Sequence, residues 1–425
     1  MLDVQRRLTN GFYALLALPA TAMGFALSIQ IAALSWILST QYGLDIHEIG
    51  IVWAAGPLAG IIGQVLIGVL SDKVWFWGGR RRPFILIGGV LAALMLIALP
   101  NIQRISDALG FEGILGVAIA VALTLDLAIN ISFNPTRSII ADVTPEGNPR
   151  TKGYTWMQTI SGFFGVAAYA VGATLGNYTL IYSGAIVVLL FSLLPPLFIT
   201  EPREAEADGS EDMDDAEASA ASTGVLETRW GQLWRIYFAH AFSWLGIQTM
   251  FVYIIAYINQ KLNPASDFES GQIISISFLI LNTVGFILPV LVLEPLAERM
   301  GRVRVHLSAV AVMAAAYLGI VLFGKSSLIL YVLMAFAGVG WAAVVSLPFA
   351  IMSENVKKGR MGFFMGVFNL SVVIPQLIVS LGLGILIQNA ADKNIIFIIA
   401  AVSLAVSAGL WMLVAEPQRC GTPNG

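Results

Sequence analysis

The 425-residue chain is 57% hydrophobic and 12% charged, against about 25% charged in an ordinary soluble domain, which excludes a water-soluble globular class and implies a polytopic membrane protein. A single cysteine, Cys420, excludes an internal disulfide framework, and three histidines without clustered Cys/His spacing exclude a structural zinc site. The net charge of −3 says little about partners, because the charges are unevenly placed; no nucleic-acid partner, metal or cofactor is expected.

The chain opens M-L-D-V-Q-R-R-L and runs into an apolar stretch too long for a signal-peptide core and without a small-residue cleavage site, so the first span is expected to be retained. Stretches long enough to cross a bilayer lie near 12 to 39, 48 to 71, 83 to 100, 113 to 142, 155 to 176 and 179 to 199. Six more lie near 232 to 258, 271 to 297, 305 to 323, 328 to 353, 361 to 387 and 394 to 415. The expected fold class is therefore an all-α membrane protein of twelve spans, with bundles over 1–199 and 232–425 joined by an acidic segment over 200–231. With the N-terminus inside, 18 of the 23 lysines and arginines fall on the cytoplasmic side and four (Arg104, Lys261, Lys325, Lys393) on the other, while Arg137 lies within a span. The positive-inside bias thus places both termini in the cytoplasm.

Span four reads L-T-L-D-L-A-I-N-I-S-F-N-P-T-R-S-I-I-A-D-V from Leu123 to Val143. Asp126, Asn130, Asn134 and Arg137 follow at offsets of four, four and three and form one polar stripe on a helix. An ionisable residue at that depth is costly unless paired or solvated and marks a functional site. Asp126 and Arg137 stand about 16 Å apart along a straight helix, too far to bridge directly. Asp126 is either a proton carrier or a buried carboxylate satisfied by a neighbouring helix. Arg137 is always charged and carries no proton; its forked donors suit hydroxyls, the ionised Asp126 of another conformation, or helix-end carbonyls. Asn130 and Asn134 are either ligands or packing groups.

The connector from Thr200 to Thr228 holds ten of the 26 acidic residues among Ala, Ser and Gly. Such a segment buries too little apolar surface to order itself and reads as a solvated linker without assigned chemistry, a passive tether or a regulatory docking site.

The two halves repeat weakly. Span four ends P-T-R-S-I-I-A-D-V from Pro135 and span ten ends P-F-A-I-M-S-E-N-V from Pro348, and the loops S-D-K-V-W-F-W-G-G-R-R-R-P and A-E-R-M-G-R-V-R-V follow spans two and eight. Parallel six-helix repeats fit a transporter with a central site. In this register Asp126 matches Val339 and Arg137 matches Ala350, so the buried charges belong to the N-terminal half. Asp72, Arg80, Arg81 and Arg82, with Asp142 at the end of span four, read as a conformational gate whose charges pair in one state and separate in another; orientation by positive charge alone is the alternative.

Span seven places His240, Trp244 and Gln248 on one face at intervals of four. A flat aromatic beside hydrogen-bonding groups suits a pyranose ring, and an interfacial histidine with a core tryptophan fits the same pattern. Gln30, Gln64, Asn282, Asn369 and Gln376 complete the candidate substrate-lining set. The run G-I-V-L-F-G-K-S from Gly319 matches the phosphate-binding loop only formally, because no strand and helix flank it. No HExxH, GxSxG or paired intramembrane carboxylates occur, so no enzyme is expected.

The run I-V-W-A-A-G-P-L-A-G-I-I-G-Q-V-L-I-G-V-L-S-D-K-V-W-F-W-G-G-R-R-R-P-F-I from Ile51 resembles the signature of sucrose-transporter-like sugar symporters. These belong to the glycoside-pentoside-hexuronide cation symporter group of the major facilitator superfamily. D-L-A-I-N with P-T-R from Asp126, H-A-F-S-W from His240 and G-V-F-N-L-S-V-V-I-P-Q-L-I-V-S-L-G from Gly366 extend the likeness over most spans. The resemblance implies a major facilitator fold and uptake of an α-linked disaccharide, of sucrose or maltose type, with a cation. It also implies Asp126 as proton carrier and Arg137 in the transport site. A proton fits better than sodium, which wants several oxygen ligands, because span two offers no mid-membrane carboxylate to join Asp126; sodium coupling or uncoupled transport of another glycoside is the alternative. The compact loops and short termini suggest a plasma-membrane protein, such as one of a bacterial inner membrane, and a monomer is expected.

Overall fold

The computed structural model describes residues 3–61, 74–110, 113–145, 148–201, 228–356 and 361–416, all helical or connecting apart from one bridge between Phe76 and Gly79. We label the longer elements α1 (Asn10–Thr40), α2 (Ile46–Trp53), α3 (Arg82–Ala98), α4 (Leu115–Val143), α5 (Asn148–Leu175), α6 (Asn177–Phe198), α7 (Trp230–Tyr257), α8 (Asp267–Leu288), α9 (Arg302–Phe323), α10 (Ser327–Ser353), α11 (Met361–Ile378) and α12 (Ile395–Trp411). Among the described residues nine of these helices, α1, α3, α4 and α6 to α11, are long and apolar enough to cross a membrane, and α12 and Ile46–Ile61 are shorter apolar helices. The second half of the expected second span, with Gln64 and Asp72, lies outside the described residues.

Local chemistry sets the helix ends. Thr9 accepts from Phe12 N–H at the start of α1 (3.3 Å). Asp45 and Glu48 close a reciprocal capping box at α2, which satisfies two donors that have no partner within the helix. Pro83 occupies the first turn of α3, where no N–H is missed. Pro135 in α4 and Pro348 in α10 lie inside their helices, so each removes one ladder bond at the matching place of the two halves. Short π-helical turns, Ile258–Leu262, Pro289–Leu293 and Val379–Leu383, follow α7, α8 and α11.

By contact the chain forms two compact units. One comprises Met1–Asp208 with Ile258–Leu279 and Ser380–Asn389, the other Gly209–Tyr257 with Ile280–Val379 and Ala390–Gly425. Short bonds explain why two segments beyond the acidic connector join the first unit. Trp36 Nε1 donates to the carbonyl of Asp267 (2.7 Å), Gln272 Nε2 to that of Ala173 (2.9 Å), and Ser275 Oγ to Asn177 Oδ1 (2.9 Å). Gln388 Oε1 accepts from His47 N–H (3.0 Å) while its Nε2 donates to Asp45 (3.1 Å). Gly271 permits this approach, since a Cβ there would stand 2.9 Å from Asn177 Nδ2 and 3.0 Å from Trp36 Nε1.

These contacts lie at the end of the unit remote from Arg82. α3 runs from Arg82 to Ala98, and the carbonyls of Leu99 and Pro100 accept from Tyr42 and Gln41 just beyond α1 (2.6 and 2.9 Å). Burial pushes the Tyr42 phenol up to about 12, so it remains a neutral donor.

α3 also fixes α4. A Cβ at Gly88 would stand 2.6 Å from the carbonyl oxygen of Ala128 and 2.8 Å from Ser132 Cβ; backbone cannot yield as a flexible side chain can. Gly88→Val is therefore expected to lower stability by about 1–3 kcal/mol, whereas Gly116→Ala, with open space around it, should change it by less than about 0.5 kcal/mol. Thermal unfolding of both variants in detergent checks this, and equal midpoints would refute the close α3–α4 packing.

Candidate functional site

α4 carries the expected stripe, but its members do different things. Asp126 is 5% exposed, and its Oδ2 accepts from Gln30 Nε2 of α1 at 2.9 Å, with Gln30 itself 4% exposed. Gly56 brings backbone against the same carboxyl, for a Cβ there would lie 3.4 Å from Oδ2 and 3.5 Å from Oδ1. A carboxylate has about four acceptor sites, so one amide leaves capacity for a proton or a hydroxyl. Asn130 turns back on its own helix, its Nδ2 donating to the carbonyl of Asp126 (2.8 Å), and Asn134 is half-buried. Arg137 lies with its guanidinium 4.5 Å from the ring centre of Phe133, and its carbonyl accepts from Tyr154 (3.3 Å). Among the described residues no carboxylate pairs with Arg137, and Asp126 keeps a neutral partner on a different helix.

The second unit gathers the other candidates. Trp244 Nε1 donates to His240 Nε2 at 2.9 Å, which leaves Nδ1 as the protonated nitrogen of a neutral His240; this Nδ1 is buried without a partner among the described residues. His240 stacks on Phe368 at 4.7 Å, and Trp244 meets Trp341 edge-on at 6.1 Å. Trp341 Nε1 donates to Asn282 Oδ1 (3.2 Å), and Gln376 Nε2 to Gln248 Oε1 (3.3 Å). Four helices, α7, α8, α10 and α11, thus build one amide-and-aromatic cluster. Asn369 is half-buried beside Phe368 on α11. Trp341 and Phe368 had no signal in the sequence, because a lone aromatic in an apolar helix looks like core.

The arginine cluster finds its partners within its own unit. Asp142 accepts from Arg80 Nη2 (3.2 Å) and Arg81 Nε (3.1 Å). Glu201 accepts from the backbone N–H groups of Arg80, Arg81 and Arg82, at 2.8, 2.8 and 2.7 Å. A carboxylate at the start of α3 satisfies otherwise partnerless donors and meets the positive end of the helix dipole. Thr200 likewise exchanges bonds with Gln5 (2.8 and 3.1 Å). This corrects the reading of the connector: Thr200 and Glu201 are bonded into the helical unit and Glu201 is buried, while 202–227 lie outside the described residues.

The second unit repeats this clasp. Glu416 accepts from Val303 N–H (2.9 Å) at the start of α9, and Arg302 pairs with Glu354 at the end of α10. Burial holds the Glu354 carboxyl above its ordinary value, with Arg302 opposing. A Cβ at Gly79 or Gly301 would collide with its glutamate. Gly79, Arg80 and Glu201 thus have counterparts in Gly301, Arg302 and Glu416, and Glu354, one place before the residue that matches Asp142, takes the part of the acidic helix end, a stronger repeat than the loop sequences alone suggest.

The sequence model of the Major Facilitator Superfamily matches residues 16–380 and again 283–422. The chain belongs to the Major Facilitator Superfamily. It is 24% identical over 460 residues to a sucrose transport protein of Arabidopsis thaliana, covering 94% of this chain and 88% of the relative. A sucrose transport protein of rice, Oryza sativa subsp. japonica, is 25% identical over 474 residues, covering 94% and 91%. The structure superposes on that of a nucleoside transporter with TM-score 0.72 at 13% identity over 95% of this chain and 100% of the other. It superposes on a D-xylose–proton symporter with TM-score 0.71 at 15% identity over 96% and 99%. At these identities the structural likeness is one of fold. As a member of this superfamily the chain is a multi-pass, all-helical membrane protein, and the relatives it matches are transporters rather than enzymes.

Within this superfamily member the clasp makes a measurable claim. Glu201→Gln keeps shape but removes the charge that three N–H donors share, and is expected to cost about 1–3 kcal/mol of stability. Glu416→Gln should likewise lower stability, since both Glu416 carboxylate oxygens accept from Val303 N–H (3.2 and 2.9 Å). Unfolding midpoints of the purified variants decide it; a neutral Glu201→Gln would remove the cap from the account of how α3 begins.

Proposed function

We propose that this protein carries an α-linked disaccharide, of sucrose or maltose type, into the cell together with a proton. In this reading twelve spans form two six-helix halves, both termini are cytoplasmic, and a monomer works by alternating access in a plasma membrane, such as a bacterial inner membrane. The observation that carries the reading is Asp126: a carboxylate buried in a membrane-spanning helix whose partner is an amide, not a cation. Such a group can gain and lose a proton without stranding an opposite charge. Arg137, always charged, contributes donors to the path instead. The similarity to sucrose transport proteins over most of the chain supports a sugar as cargo, and the His240–Trp244–Trp341 cluster supplies the aromatic face and polar edge that a pyranose needs.

Alternating access requires that one side close while the other opens. The bonds from α1 and α5 to the start of α8, remote from the arginine clasp, are in this reading the contacts that close and open on the outer side. The clasps then hold the cytoplasmic ends of α3, α4, α9 and α10, with Asp72, outside the described residues, as a further member of the gate.

Asp126→Asn keeps size and hydrogen bonding and removes the titratable group. In reconstituted vesicles with acid outside, proton-driven accumulation of sugar should fall to the equilibrium level, while exchange of labelled for unlabelled sugar falls much less, because asparagine resembles the protonated form. Full accumulation by the folded variant would exclude Asp126 as the coupling group. Trp244→Ala should weaken apparent sugar affinity by about tenfold, the loss of one aromatic contact worth roughly 1 kcal/mol or more; unchanged affinity in uptake competition would move the sugar elsewhere.

A further inference from the structure

We propose that Gln30 is a positioning residue that passes the charge state of Asp126 to α1, and through α1 to the contacts that close the outer side. The proposal rests on the reading of Asp126 as the proton-coupling group and adds how that proton is felt. The amide of Gln30 is committed to Asp126 at 2.9 Å, with both side chains buried. That makes Gln30 a tie between two helices rather than a free sugar ligand.

An amide is suited to this because it has a donor and an acceptor side. Toward the carboxylate it turns its NH2. When a proton from the outer solution binds Oδ2, that oxygen becomes a donor, and a half-turn about the last torsion of Gln30 presents the amide carbonyl instead. One bond is kept in both states, but its strength changes: a hydrogen bond to an ion is roughly twice as strong as one between neutral groups. Loading the proton therefore loosens the tie between α1 and α4, and releasing it inside restores the tie. Only the proton is transferred.

α1 has no Asp, Glu, Lys, Arg or His anywhere in Asn10–Thr40. Gln30 is thus where this helix meets the charge on Asp126. Within two further turns α1 also makes closing contacts of the same unit: the carbonyl of Ala32 accepts from Asn177 Nδ2 (3.4 Å), and Trp36 Nε1 donates to the carbonyl of Asp267 (2.7 Å). Trp36 stands about 9 Å along the helix from Gln30, so a shift of α1 at one point is felt at the other. Asn177 also accepts from Ser275 Oγ of α8, which is fully buried there.

Ser275→Cys, in a chain with Cys420→Ser, reports the state of those contacts by its rate of labelling with an impermeant maleimide in vesicles. Breaking the tie should act like neutralising the charge. Labelling is expected to rise by about tenfold in Gln30→Met, which fills the same volume without an amide, and similarly in Asp126→Asn; about tenfold is what the difference between a charged and a neutral bond is worth. Proton-driven accumulation by Gln30→Met should fall by a larger factor than sugar exchange, a split that a merely destabilised protein would not show. Should Gln30→Met fail to fold, Gln30→Asn, one methylene short of reaching Asp126, must give the same rise. If Asp126→Asn raises labelling and abolishes accumulation while folded Gln30 variants match the parent in both, the proposal is overturned and the role of Asp126 stands. If Asp126→Asn itself accumulates sugar normally, the functional reading fails first.

Discussion

Everything in this fold depends on one constraint: a polar group inside an apolar slab must find its partner within the chain, because no water is there to supply one. Helices meet it for the backbone. Side chains meet it one at a time, and the way each does so separates structural groups from functional ones. Ser28 bonds back to the carbonyl four residues earlier, Asn130 does the same, and Thr21 adds to its own such bond a contact with Ser161 Oγ at 3.1 Å; these groups are neutral and begin with a partner on their own helix. Asp126 cannot be satisfied so. Its partner comes from another helix, Gln30 of α1, and the proposed coupling rests on that dependence.

The two clasps apply the same rule at the ends of the helices. A helix start leaves N–H groups without partners, and here a glutamate from a distant part of the sequence, Glu201 or Glu416, fills that need. Because the same four-part arrangement of glycine, arginine, glutamate and acidic helix end recurs in each unit, the repeat is best explained by chemistry that both units require. The asymmetry is then informative. Asp126 and Arg137 have Val339 and Ala350 in the matching places, so the polar interior of α4 meets a need that only one half has.

The sequence made the helices legible because apolar length is a strong signal and capping residues such as Thr9 and Asp45 mark their starts. It made Asp126 legible because a carboxylate in such a stretch is costly. It did not show Gln30 bonded to Asp126, since the two are far apart in the chain and no periodicity links them. Glu201 was hidden for a different reason: nine further acidic residues follow it before Thr228, and composition averaged over that segment masks one residue with a fixed partner. The grouping of Ile258–Leu279 and Ser380–Asn389 with the first unit was also out of reach, because it rests on single bonds such as Trp36 to Asp267 rather than on any pattern.

Why an amide rather than a cation stands beside Asp126 follows from what each would do to the charge. Arg137 is on the same helix but about 16 Å along it, and within a straight helix it cannot approach. A guanidinium at Gln30 would form a buried pair, and protonating the carboxylate would leave an unpaired cation in an apolar interior, a cost of several kcal/mol. Gln30 imposes no such cost in either state, since its two ends answer a carboxylate and a carboxylic acid alike. The glycine at 56 lies against the same carboxyl, where a Cβ would stand 3.4 Å from Oδ2 and 3.5 Å from Oδ1. In the proposed coupling the Asp126 carboxyl stays bonded in both protonation states and is trapped in neither, which a reversible proton site inside a membrane requires.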